Sequence, residues 1–84
     1  MPYFVYLIGS FKNSKIKTYV GYTNNLKKRL ALHNSGKGAR STKGRKWKLI
    51  YKEKFISKKS AMSREYHFKN DRTLRKKIVK SFIV

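Results

Sequence analysis

Cysteine is absent from the 84 residues, which removes disulfides, thiolate metal sites and a thiol nucleophile together. Acids are nearly absent as well. Glu53, Glu65 and Asp71 stand against 23 lysines and arginines, for a formal net charge of +20. Three carboxylates are too few for a site that holds two divalent ions, because such sites draw several Asp or Glu side chains to one point. Long apolar runs are missing too. The longest, Tyr3 to Ile8, is too short for a signal-peptide core or a membrane span and carries two tyrosines. Neither export nor membrane insertion is expected, and the expected compartment is the cytoplasm. No linker or internal repeat divides the chain, so residues 1–84 are expected to form one domain with one modest core.

What is present is a hydrophobic share of 39% with 14% aromatics, enough to fold despite the charge. A small folded unit this basic repels itself unless a polyanion neutralises it, and nucleic acid is the first candidate. A solvated basic surface, a membrane-surface binder and the lysine enrichment of an AT-rich genome account for the same composition.

Phe4-Val5-Tyr6-Leu7-Ile8 is β-branched and aromatic on both alternating faces, as in a strand buried on two sides, and should be central. Thr18 to Tyr22 reads as a second strand closing a hairpin, with Asn13-Ser14 as turn material. A turn centred near Lys12-Asn13 sets Tyr6 opposite Tyr19 on one face. Thr23 is the expected cap of a helix over 24–34, with Gly36 as its left-handed stop. In that helix Leu26, Arg29, Leu30 and His33 share a stripe, which mixes apolar and ionisable groups and points to the edge of a cleft. Residues 35–46 are Gly- and Lys/Arg-rich without periodicity: a surface loop, either solvated and flexible or close to phosphates. Trp47 to Phe55 alternates as a third strand, with Trp47, Leu49, Tyr51 and Phe55 on one side. Ser57 caps a helix to about Asn70 in which Ala61, Met62, Glu65 and Phe68 share a face. A last helix from Thr73 aligns Leu74, Ile78 and Phe82. The order β-β-α-β-α-α predicts an α+β domain, a small three-stranded, mainly antiparallel sheet flanked by helices.

Phosphodiester hydrolysis needs a base for water, a cation for the charged transition state and help for the leaving oxygen. A one-metal site built on a single inward glutamate is possible. Each candidate also has a plainer role: Tyr6 and Tyr19 as core aromatics, Arg29 as surface charge, His33 as a helix C-terminal cation. Glu65 has two such roles, a helix pair with Lys69 or an ion pair with an arginine.

Val5-Tyr6, Tyr19-Val20-Gly21, Arg29 ten residues on, His33 one turn later and Glu65 in a later helix follow one another in a recognisable order. Tyr22-Thr23, Leu26 to Leu30, His33 to Ala39 and Arg64-Glu65 extend it over nearly the whole chain. In this respect the sequence resembles the short, single-domain branch of the GIY-YIG nucleases, with Phe4 at the glycine of the first motif. The resemblance implies that Tyr6 and Tyr19 face the scissile phosphate and one of them activates water. It further implies that Arg29 stabilises the phosphate, that His33 hydrogen-bonds near the nucleophile or a tyrosine, and that Glu65 binds one Mg²⁺ or Mn²⁺. A tyrosine has a pKa of about 10 in isolation, so Arg29 and the positive field are expected to favour its phenolate. Lys28, Lys37, Arg40, Lys43, Arg45 and Lys46 are the expected backbone-gripping residues. With no separate reading module, action on branched, nicked or single-stranded DNA is expected, RNA being the other candidate. A monomer is expected. The rivals are a clamp of the same fold without turnover and an RNA-associated structural protein.

Overall fold

The middle strand decides the architecture. In the computed structural model, which describes residues 1–12 and 15–83, β1 (Tyr3–Lys12) lies between β2 (Lys15–Thr23) and β3 (Lys48–Phe55), antiparallel to both. Val5 to Ser10 are buried without interruption, as two covered faces require. Val5 and Leu7 look to one face, where Val20, Ala61 and Phe68 complete a core; Tyr6 and Ile8 look to the other, with Trp47. α1 (Leu26–Asn34) closes the second face through Leu26 and Leu30, while α2 (Lys58–Asn70) and α3 (Arg72–Ile83) cover the first through Ala61, Phe68, Leu74 and Ile78. The expected α+β class and element order are borne out, with one added 3₁₀ turn, Arg40–Thr42.

Four local expectations are corrected. The hairpin pairs Lys12 with Lys15, so Tyr6 lies opposite Gly21 and Tyr19 opposite Ile8. The shift is two residues, and a period of two keeps both tyrosines on one face, their ring centroids 6.5 Å apart. The turn expected at Asn13-Ser14 lies outside the described residues. The cap of α1 is Asn25, whose side chain accepts from the Lys28 N–H; Thr23 ends β2 and its hydroxyl accepts from the Asn25 N–H. Gly36, at φ 83°, is the expected left-handed stop. In β3 a bulge sets Tyr51 opposite Leu7 but Leu49 opposite Ile8, and the extra residue, Ile50, breaks the alternation. Trp47 and Leu49 therefore pack under α1, whereas Ile50, Tyr51 and Phe55 pack under α2 and α3. On α2, Ala61 and Phe68 are buried and Glu65 is half-buried on the same stripe, but Met62 is 46% exposed.

α3 starts where Asp71 accepts from the Leu74 N–H, a cap that supplies negative charge at a helix N-terminus. Its end is tied by Phe82, which is largely exposed yet stacks on Phe11 at 6.1 Å.

Candidate active site

Where α1 crosses the second face, His33 is held from both sides. It is 1% exposed; its Nε2 lies 2.8 Å from the Tyr6 hydroxyl and its Nδ1 3.0 Å from Thr42 Oγ1. Thr42 donates its own proton to the Ala39 carbonyl (2.9 Å) and accepts from the Ala39 N–H (3.2 Å). A hydroxyl has one proton, so its remaining lone pair faces a donor, which is His33 Nδ1–H. That assignment leaves Nε2 as an acceptor, and Tyr6 O–H donates to it.

Charge follows the same pattern. Burial, then the Arg29 guanidinium, push the His33 pKa below its ordinary value and keep the imidazole neutral. Burial pushes the Tyr6 phenol well above its ordinary value, with Tyr19 adding to this, while Arg29 pulls the other way. Arg29 does not win, so the expectation that it would favour the phenolate is corrected: desolvation of a 2% exposed ring outweighs one cation. Tyr6 is a neutral hydrogen-bond donor.

Tyr19 completes the cluster, its ring 5.0 Å from His33 by centroid. Two glycines make room for it. A Cβ on Gly21 would lie 2.4 Å from the Tyr6 hydroxyl, and one on Gly38 would lie 2.4 Å from His33 Nδ1. Glu65 comes from α2; its charge acts on Tyr6 as the smallest of the influences there, and among the described residues it makes no hydrogen bond or ion pair. The other two acids are occupied. Asp71 caps α3, and Glu53 accepts from Arg64 through both of its oxygens (2.7 and 3.0 Å) and from the Tyr51 hydroxyl at 2.6 Å. Arg64 holds the Glu53 carboxyl below the usual carboxylate range, which places the arginine ion pair at Glu53 and not at Glu65.

A family model for the GIY-YIG catalytic domain matches residues 2–78. The chain belongs to the GIY-YIG family. It is 47% identical over 68 residues to a UPF0213 protein of Staphylococcus haemolyticus, covering 80% of this chain and 79% of that one. A Bacillus pumilus UPF0213 protein is 56% identical over 52 residues, 61% of this chain, and there the match spans only 53% of the relative's length. Among solved structures, the solution NMR structure of a UPF0213 protein from Bacillus halodurans is 36% identical, with a TM-score of 0.52, over 95% of this chain and 84% of that one.

In this GIY-YIG domain the motif tyrosines, Tyr6 and Tyr19, sit together with His33, and Arg29 acts on Tyr6 and His33, while Glu65, on α2, acts on Tyr6 only weakly through its charge. Of the six residues expected to grip backbone, Lys28, Lys37, Arg40, Lys43 and Lys46 are exposed; Arg45 is half-buried, and among the described residues its Nε has no hydrogen-bond partner. The loop that carries five of them is not loose. Trp47 Nε1 donates to the Thr42 carbonyl (2.9 Å), and the Asn34 side chain both accepts from the Trp47 N–H and donates to its carbonyl. Thr42 and Asn34 are the site-shaping residues that sequence reasoning missed. The available signal was Trp47, a large aromatic whose N–H needs a partner once buried. Among the described residues no helix is long and apolar enough to cross a membrane.

Proposed function

We propose that this protein is an endonuclease that hydrolyses phosphodiester bonds of branched, nicked or single-stranded DNA, using one Mg²⁺ or Mn²⁺ ion held by Glu65. The observation that carries the reading is the chain Thr42–His33–Tyr6, which ends in a buried tyrosine hydroxyl whose proton already points at a neutral imidazole. The donor set fits one hard cation. Mg²⁺ commonly takes one or two carboxylates and fills its remaining positions with water and substrate phosphate, and Glu65 is the carboxylate without a structural duty. Among the described residues no group of three His, Asp or Glu gathers, so a two-metal site does not fit. When bound, such an ion supplies Lewis-acid stabilisation of the phosphoryl oxygens.

As a water oxygen bonds to phosphorus, Tyr6 Oη takes the water proton and passes its own to His33 Nε2. The bond from phosphorus to the leaving oxygen breaks, that oxygen takes a proton from solvent, and His33, whose charged form burial and Arg29 disfavour, returns its added proton through Tyr6 to solvent and is neutral again. Tyr6 begins and ends neutral, so the raised phenol pKa is no obstacle. Arg29 holds the charge that grows on the phosphoryl oxygens, and Tyr19 fixes the imidazole by packing on it. The exposed Lys28, Lys37, Arg40, Lys43 and Lys46, with Arg45, hold the backbone and set register without reading sequence. A monomer working in the cytoplasm meets these requirements.

The test is cleavage of branched and single-stranded DNA with and without Mn²⁺. Wild type is expected to cut only with metal, and Glu65→Ala to bind equally well and not cut. Binding without cutting by either protein would leave the clamp as the function, and equal cutting by both would end the metal assignment.

A further inference from the structure

Beside the tyrosine cluster lies a hollow that shares Tyr6 and Arg29 with the hydrolytic chemistry but whose apolar floor that chemistry does not use. It measures about 240 Å³, and Ile8, Leu26, Leu30 and Leu49 form its floor between α1 and the sheet. Its remaining wall is Tyr6, and the charged groups that line it, Lys27, Arg29 and Lys52, are all cationic. Arg29 also lines a second hollow, of about 340 Å³, whose other members are polar or aromatic: Tyr3, Tyr22, Thr23, Asn24 and Lys58. One arginine thus stands between a hydrocarbon recess and a cationic, hydrogen-bonding one.

Both recesses match parts of a single nucleotide. Its phosphate calls for the arginine, the lysines and the hydroxyls. Its base is flat and apolar on both faces and edged with polar groups, so it suits a hydrocarbon floor with cations at the mouth. The apolar recess falls below the roughly 300 to 1,000 Å³ of sites that take drug-sized molecules, which suits one base and not a base pair. A base inside a duplex has both faces stacked. Extruding it costs a few kcal/mol, least where it is already unpaired.

On the reading that this protein binds DNA at Arg29, we propose that the Ile8–Leu26–Leu30–Leu49 hollow is a base-binding subsite that takes one unpaired nucleobase next to the phosphate held by Arg29. The selectivity for branched or single-stranded substrates then arises in the recess, through the nucleotide's freedom to leave the stack and not through its sequence. Leu26 and Lys27 at the start of α1, and Lys52 of β3, then act as specificity residues.

The test uses wild-type protein in EDTA, where nothing is cut. It compares a fully paired duplex, the same duplex with one bulged 2-aminopurine, and the same with an abasic bulge. The bulged base is expected to bind about fivefold tighter than the other two, the ratio at the lower end of the energy of stacking one base, and 2-aminopurine fluorescence is expected to change on binding. Leu26→Gln, at the half-buried first residue of α1, is expected to remove that preference while leaving the salt dependence of binding intact. Equal affinity for the base and abasic bulges would overturn the subsite while leaving the nuclease reading untouched. Displacement of the bulged strand by an equal nucleotide concentration of dAMP would overturn its assignment to a strand nucleotide. No salt-sensitive binding to any of the three duplexes would overturn the DNA reading itself.

Discussion

At the scale of single residues, the proton on Tyr6 is governed by Thr42, a side chain two contacts away. Because Thr42 Oγ1 accepts from His33 Nδ1–H, the imidazole must present a lone pair to the phenol. Thr42→Val keeps the shape and removes the hydroxyl, so the Ala39 N–H and carbonyl lose this partner and the His33 Nδ1–H is left buried without an acceptor, the last alone at a cost of about 1–3 kcal/mol. Denaturant melts are expected to register that loss, and ¹⁵N chemical shifts of His33 to register a change of tautomer. Thr42→Ser is expected to restore both; a normal tautomer in the valine variant would refute the assignment. Protonation of His33 can be examined separately. Its native pKa lies below the ordinary 6.5, so the unfolded chain binds the proton more tightly. The stability that depends on neutral His33 is therefore complete above about pH 6.5 and lost as pH falls through the lower native value. Melting temperatures taken downward from about pH 8 should fall in that window for wild type and change less for His33→Gln.

Elements bring these residues together, and the loop after α1 contributes as much as the helix. Gly38 packs on His33 so closely that an added Cβ would sit 2.7 Å from its Cγ and 2.9 Å from its Cα, and backbone cannot step aside. Gly36 has open space around its missing Cβ but holds φ at 83°. Alanine is thus expected to cost about 1–3 kcal/mol at Gly38 through overpacking and loss of the His33–Thr42 contact. At Gly36 the cost is conformational, about 1 kcal/mol, with the site intact. Urea unfolding combined with ¹⁵N shifts of His33 separates the two. The same elements show what was legible beforehand. The central strand, the α+β order and the inward stripe of α1 follow from periodicity, which the fold obeys. The bulge at Ile50 escaped because Leu49, Ile50 and Tyr51 are all apolar and fit either face. Glu53 shares strand parity with Tyr51 and Phe55, so an acid on that face called for a buried partner, and Arg64 supplies it. The hold on His33 escaped because Thr42 lies in a segment without periodicity, and its contacts come from tertiary packing.

For the whole molecule, charge acts on the fold and on the complex with opposite signs. A net +20 is packed within a Cα radius of gyration of 12.4 Å. At about 0.1 M salt the Debye length is about 10 Å, so many cations on the surface still feel one another, and at about 1 M it shrinks to about 3 Å. Like-charge repulsion opposes the compact state, so salt that screens it should raise the melting temperature of the isolated protein. DNA binding should run the other way, because each phosphate neutralised releases counterions and salt reverses that gain. If the five exposed cations proposed to hold backbone, Lys28, Lys37, Arg40, Lys43 and Lys46, each meet one phosphate, log Kd against log salt should have a slope of roughly 4 to 5 on duplex DNA. Replacing Lys37, Lys43 and Lys46 together by alanine should lower that slope by about 3. The same triple variant should melt at a higher temperature than wild type in low salt, since three repelling charges are gone. Calorimetry and anisotropy titrations across one salt series test both signs. A melting temperature that falls with salt would refute the self-repulsion, and a slope unmoved by the triple substitution would mean that the charge on this loop is not what holds the nucleic acid.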